Sequence, residues 1–256
     1  MNSKLKDEDL KILDVNKPKD NYICVHENLP LVPSLVCLIS PPSSGKSILL
    51  VNWVYRFYKD IFTGGIYWCS PTLNLDNSLE SSVKKDETIV KITEADDLKN
   101  LTKFINILCE EQKQKIEEGE QLEEILIILD DCISFINSKS LYELCTMYRH
   151  YRITVWISIQ KMKLLNPTIR SCASDIITFE ISNKQLKLFL DEFDNYNNIE
   201  HFYNKCCSER FNWLRLNKGC IYHGSPDGII KVYDKNTKTT HENYKQSDDK
   251  KKRLKK

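Results

Sequence analysis

The sequence has no long hydrophobic run. Its uninterrupted apolar stretches stop at the length of Ile125–Leu129, far short of the roughly 20 residues a membrane-spanning helix needs. No charged-then-apolar leader opens it either, and the two absences together predict a soluble, intracellular protein. Charge of one sign is also missing. Lys and Arg number 37 against 36 Asp and Glu, a net charge of +1, so no global basic field marks a nucleic-acid binder and any DNA contact must come from local clustering. The 10 cysteines contain no CxxC pair, and the adjacent Cys206-Cys207 suits neither an ordinary bridge nor a zinc knuckle. Cys37, Cys69 and Cys172 lie in or beside apolar runs, where a free thiol packs as a small hydrophobe, so structural thiols in a reducing compartment are expected. There is no internal repeat. What is there, 41% hydrophobic and 29% charged over 256 residues, is a globular composition with room for one α/β domain and short tails.

Residues 1–20 are polar and lysine-rich, without periodicity, and read as a lead-in. Asn21–Val25 reads as a short strand. Pro33-Ser-Leu-Val-Cys-Leu-Ile-Ser40 is a continuous apolar run, as expected of a strand buried on both faces in a parallel sheet. Apolar residues then recur at helical spacing over Ile48–Tyr58. Gly65–Ser70 and Thr88–Ile92 read as strands, and Glu94–Glu118 as a long helix with Leu98, Leu101, Ile105 and Leu108 on one stripe. Glu124–Leu129 carries the strongest strand signal. Leu141–Tyr148 and Gln185–Phe193 read as helices, Thr154–Ile159 and Asp175–Glu180 as strands. Trp213–Leu216, Cys220–His223 and Ile229–Tyr233 form a meander, with Gly224-Ser-Pro-Asp-Gly228 as a turn. Strands alternating with helices predict an α/β fold: a mostly parallel central sheet flanked by helices on both faces, with a small C-terminal β-meander. The expected organisation is a core over 21–198, an appendage over 199–234 and a basic polar tail over 235–256.

The chemistry is concentrated at Ser40-Pro-Pro-Ser-Ser-Gly-Lys46-Ser47. A phosphate-binding loop needs a strand, a tight turn with inward N–H groups, a lysine, then Ser or Thr opening a helix. The usual first glycine is missing, replaced by Ser40 and two prolines. The context nonetheless supplies the buried strand before the loop and the amphipathic helix after it, and predicts a P-loop ATPase. Pro42, Ser43, Ser44, Gly45, Lys46, Ser47 and Ile48 would line the phosphates of ATP, with Lys46 reaching the β- and γ-phosphates and the Ser47 hydroxyl serving Mg²⁺. The acidic partner is the strand end Ile125-Leu-Ile-Ile-Leu-Asp130-Asp131, with Asp130 as metal residue and Asp131 as general base. Gln160 ends another apolar run and would orient water or sense the γ-phosphate if its strand adjoins the other two. Arg149, Arg152 and Arg170 are candidates for an arginine supplied to a neighbouring subunit.

These motifs, in this order, resemble the viral genome-packaging ATPases of poxviruses and giant DNA viruses, within the FtsK–HerA superfamily. The similarity runs from about Leu35 to Phe193. It rests on Ser40–Ser47, Gly65-Ile-Tyr-Trp-Cys-Ser-Pro-Thr72, Ile128-Leu-Asp-Asp131, Tyr148-Arg-His150, Ile157-Ser-Ile-Gln160 and Ile169–Phe179. Virophage and polinton-type packaging ATPases are similar to nearly the same degree. The resemblance implies a ring-forming motor that hydrolyses ATP to pump double-stranded DNA into a capsid. Its other partner would be a capsid or portal component, and its place the host-cell cytoplasm and the virion. It also ranks Arg149 first and Arg170 second as the arginine acting in trans. A conjugative-type DNA pump and a small-molecule kinase remain alternatives: the first usually carries membrane helices, the second an arginine-bearing lid, and neither feature is visible here. The terminal Lys250–Lys256 could touch phosphates nonspecifically.

Overall fold

The computed structural model describes residues 21–75, 82–93 and 100–245. Five apolar runs become parallel strands: β1 (Leu35–Ile39), β2 (Ile66–Cys69), β3 (Ile89–Ile92), β4 (Ile125–Asp130) and β5 (Ile153–Ile159). A sixth, β6 (Asp175–Thr178), joins them in parallel on the far side of β1. The chain then turns antiparallel through β7 (Trp213–Asn217), β8 (Cys220–Ser225), β9 (Gly228–Asp234) and β10 (Thr239–Thr240). All ten strands form one sheet, ordered β10-β9-β8-β7-β6-β1-β5-β4-β2-β3. The meander is therefore hydrogen-bonded edge-on to the parallel core through β6 and β7.

Every residue of β1, β4 and β5 is buried, which is why these strands read as unbroken apolar runs: each face must meet a helical layer. On one face Val36, Leu38, Leu126, Ile128 and Trp156 pack on Leu50 and Trp53 of helix α1 (Lys46–Trp53) and on Val54 and Tyr58 of the π-helical turn that continues it. Trp53 meets Trp156 and Trp213 edge-on at 5.7 and 5.9 Å, so one aromatic cluster spans α1, the parallel sheet and the meander. The opposite face, with Cys37, Ile39, Ile127, Leu129, Val155 and Ile157, is covered by the remaining helices. These are α2 (Leu101–Glu118), α3 (Lys139–Met147), α4 (Pro167–Cys172), α5 (Asn183–Glu192) and α6 (Ile199–Cys206). Local chemistry sets their ends. Ser138 caps α3 by accepting the Leu141 N–H at 3.2 Å, Asn166 caps α4 with Pro167 in its first turn, and Gly119 closes α2 at φ 72°.

Several expectations need correction. Asn21–Val25 is not a strand; only Ile23 bridges to Val32. The helix expected from Glu94 is observed from Leu101, and residues 94–99 lie outside those described. Helix α6 was not anticipated, since its apolar positions fall in a segment of mixed polarity. The tail is not free from residue 235 onward: β10 pairs with β9, Tyr244 is buried, and its hydroxyl meets His223 Nδ1. The lead-in 1–20 and the terminal lysine run lie outside the described residues.

Candidate functional site

The loop between β1 and α1 starts with the Ser40 N–H held on the Ile159 carbonyl at 3.0 Å. Ser43 (φ 60°) and Gly45 (φ 102°) are left-handed, and a left-handed residue between right-handed ones turns successive N–H groups inward. Gly45 alone among the loop residues has no Cβ to strain at its φ. No side chain caps α1, so the N–H groups at its start are offered to an anion. Lys46 is only 5% exposed. Its ammonium donates to the carbonyls of Ser40 (2.9 Å) and Pro41 (3.0 Å), which hold it within the loop. Burial lowers its pKa from the usual lysine value, while Asp131 and Asp130 pull it back up.

The carboxylates arrive from β4. Asp130, 4% exposed, accepts the Ser47 hydroxyl at 2.8 Å, and joins α1 to the sheet across the intervening β5. Burial raises its pKa, with the Ser47 and Ser158 hydroxyls opposing the rise. Ser158 is its register partner on β5. Asp131 breaks the strand at φ 54°, a conformation that Asp tolerates better than most residues. There its Oδ2 accepts from Gln160 Nε2 at 3.3 Å. The condition placed on Gln160 is met: β5 pairs with both β1 and β4. Asp131 Oδ1 and Ser44 Oγ are buried and unpartnered. A hard cation and phosphate oxygens are the chemistry that such acceptors and donors fit.

The three arginines separate by geometry. Arg152 is paired with Glu124 and the Asn21 carbonyl. Arg170 is locked: Nε and Nη2 pair with both Glu192 oxygens at 3.0 and 3.1 Å, and Nη1 meets the Met162 and Leu165 carbonyls. Arg149 is exposed, stacked over Tyr148 at 5.4 Å and bonded to its hydroxyl. It follows α3 and precedes β5, at the end of the strands away from the loop. The sequence reading missed Ser158, hidden inside an apolar run, as well as Phe179 and Phe211, whose rings flank Gly45. Ser158 and Phe179 lie inside segments that carry the family resemblance, but nothing in the local sequence of Phe211 marks it.

The family model described as "Poxvirus A32 protein" matches residues 26–200. The chain belongs to this family. No curated protein matches it in sequence. Among solved structures, the A32-family chain is similar to B204, the DNA-packaging ATPase from Sulfolobus turreted icosahedral virus. The identity is 17%, over 76% of this chain and 98% of that one, with a TM-score of 0.55. B204 of Sulfolobus turreted icosahedral virus 2, in complex with ATP-gammaS, is 16% identical over 76% of this chain and 98% of its own, TM-score 0.50. The pCW3 conjugation coupling protein TcpA is 15% identical over 78% of this chain and 59% of that one, TM-score 0.51. At these identities the likeness is one of fold. The A32-family chain shares their fold, here a mostly parallel sheet with C-terminal antiparallel strands.

Proposed function

We propose that this chain is an ATP-hydrolysing motor that drives double-stranded viral DNA into a capsid, acting as a ring of identical subunits in the cytoplasm of the infected cell. The observation that carries this reading is the convergence of Lys46, Ser47, Asp130, Asp131 and Gln160 at one end of three adjoining strands, in a chain of the A32 family. Relatives in fold named a DNA-packaging ATPase and a genome packaging NTPase, the latter solved with ATP-gammaS, support the same choice.

The work divides among the residues by position. The start of α1 and the loop N–H groups bind the phosphate chain. Lys46 neutralises charge that gathers on the transferred phosphoryl group. Ser47 and Asp130 would hold Mg²⁺, which when bound offsets the charge of the phosphate oxygens. Asp131 accepts the proton of the attacking water, and Gln160, tethered to that carboxylate, orients it. No described arginine of the same subunit is bonded into this cluster. Of the three candidate arginines, Arg149 is exposed and bonded to no carboxylate, which supports assigning it to a neighbour's phosphate, whereas the pairing with Glu192 argues against Arg170. Such an arginine couples hydrolysis to the neighbour's position, which a ring translocase requires.

The test is ATPase activity with and without linear duplex DNA, alongside native mass. DNA-stimulated hydrolysis by an oligomer, lost in Lys46→Ala, is expected. Full hydrolysis by a dilute monomer indifferent to DNA would sink the motor.

A further inference from the structure

We propose that the nucleobase of the bound nucleotide stacks on Phe211, in the cleft between α1 and the β-meander. This rests on the reading of Ser40–Ser47 as the phosphate site and adds the other half of the ligand.

The direction follows from strand order. The γ-phosphate end is marked by Lys46, Asp130, Asp131 and Gln160, on the β5 and β4 side of β1. A phosphate chain laid across the start of α1 therefore emerges on the other side, toward β6 and β7. A cleft of about 750 Å³ opens there, its walls including Gly45, Ile48, Asn52, Phe179, Phe211 and Trp213. That volume is in the range of small-molecule sites, roughly 300–1,000 Å³. The cleft touches the phosphate loop itself: a Cβ built on Gly45 would lie 3.1 Å from Phe211 Cδ1 and 3.7 Å from Phe179 Cε1.

Two rings lining this cleft are exposed, Phe57 at 37% and Phe211 at 41%, whereas Trp53, Phe179 and Trp213 are buried in the core. Of the two exposed rings, it is Phe211 that lies against Gly45 of the phosphate loop. Its backbone is left-handed, φ 70°, a conformation that a bulky residue holds only where something favours it. The Arg210 guanidinium lies 4.7 Å from the ring centre on the preceding residue. An exposed ring held against the phosphate loop, at the base end of an apolar cleft, offers a flat face to a purine. Stacking of this kind discriminates little between bases, because every base has a π-face.

Binding of ATP, GTP and inorganic tripolyphosphate to the full chain, measured by calorimetry with Mg²⁺ present, tests the proposal. Phe211→Ala and Phe211→Leu should weaken ATP and GTP about tenfold or more, and Phe211→Tyr should keep wild-type affinity. Tripolyphosphate, which has no base, should bind the wild type and Phe211→Ala within twofold of each other. The inference is overturned if Phe211→Ala binds ATP within twofold of wild type, if Phe211→Leu matches Phe211→Tyr, or if tripolyphosphate affinity falls in parallel, since the ring would then support the loop and not the base. A wild-type chain that binds neither ATP nor tripolyphosphate would instead overturn the phosphate-site reading.

Discussion

Asp175→Asn should be among the most destabilising isosteric changes in this protein. Asp175 begins β6 and Arg215 sits at the middle of β7, with side-chain exposures of 0% and 1% and an Nε–Oδ1 separation of 3.4 Å. The carboxylate also accepts from Asn217 Nδ2 at 2.9 Å and from Ser174 Oγ at 2.8 Å. The amide keeps the shape and one acceptor oxygen but removes the anion. Arg215 is then left in the interior with the Asn28 carbonyl at 3.0 Å and the Tyr222 ring at 3.9 Å. Neither cancels a full charge. Removing one partner of a buried pair typically costs about 3–5 kcal/mol. At about 2–4 °C per kcal/mol for a chain of this size, the melting temperature should fall by roughly 6–20 °C. Urea unfolding followed by tryptophan fluorescence and thermal melts by circular dichroism would measure it. The double variant Asp175→Asn with Arg215→Met removes the stranded cation and should recover at least half of the loss. A single-variant cost under about 1 kcal/mol, or a double variant no more stable than the single, would refute the reasoning.

Asp131→Asn should leave Mg·ATP binding largely intact while slowing hydrolysis at least a hundredfold, because an amide cannot accept the water's proton; wild-type turnover would reassign the base. Arg149→Ala should lose most DNA-stimulated activity, and mixing it with Asp131→Asn subunits should restore part of it, at interfaces where an intact base meets an intact arginine; mixed rings no more active than either variant would remove Arg149 from the trans role. DNA affinity should fall steeply with added salt and differ little between unrelated duplexes, so a strong preference for one short sequence would point to a regulator. Burial lowers the His223 pKa below the ordinary imidazole value of 6.5, against an opposing pull from Glu209. The unfolded chain therefore takes up the proton first, and the stability His223 contributes is present above 6.5 and lost as pH falls through that value toward the folded pKa. Thermal melts across this range should show the decline, and His223→Gln should reduce it.

The fold class was legible because both of its causes are local. A strand buried on two faces must be apolar throughout, as Leu35–Ile39 and Ile125–Leu129 are, and a helix covering one face must repeat its apolar residues, as Leu101, Ile105 and Leu108 do. Lys46, Ser47, Asp130 and Asp131 were legible for a related reason. A strand end followed by a turn or a helix start is a local pattern, and polar residues placed there stand out against the apolar runs. The first strand and the tail were misread where local signal was weak: Ile23 makes a single bridge, and Tyr244 is buried through contacts with His223 and Lys205 that no neighbouring residue announces.

By itself, then, the sequence determined most of the strands and helices and which residues are candidates for phosphate chemistry, because those depend on periodicity and on neighbours along the chain. It left three matters to the tertiary structure. The insertion of β5 between β1 and β4 brings Gln160 to Asp131; strand order is a long-range choice, invisible to any window of residues. The partners of the arginines are set by Glu192 and Glu124, which pair with Arg170 and Arg152 from other segments, while Arg149 is exposed. The ring of Phe211 reaches Gly45 only because β7 returns antiparallel beside β6 and carries its preceding loop back over the start of α1. Each depends on which surfaces meet when the sheet closes on its helices, and that is a property of the packed molecule and not of its local sequence.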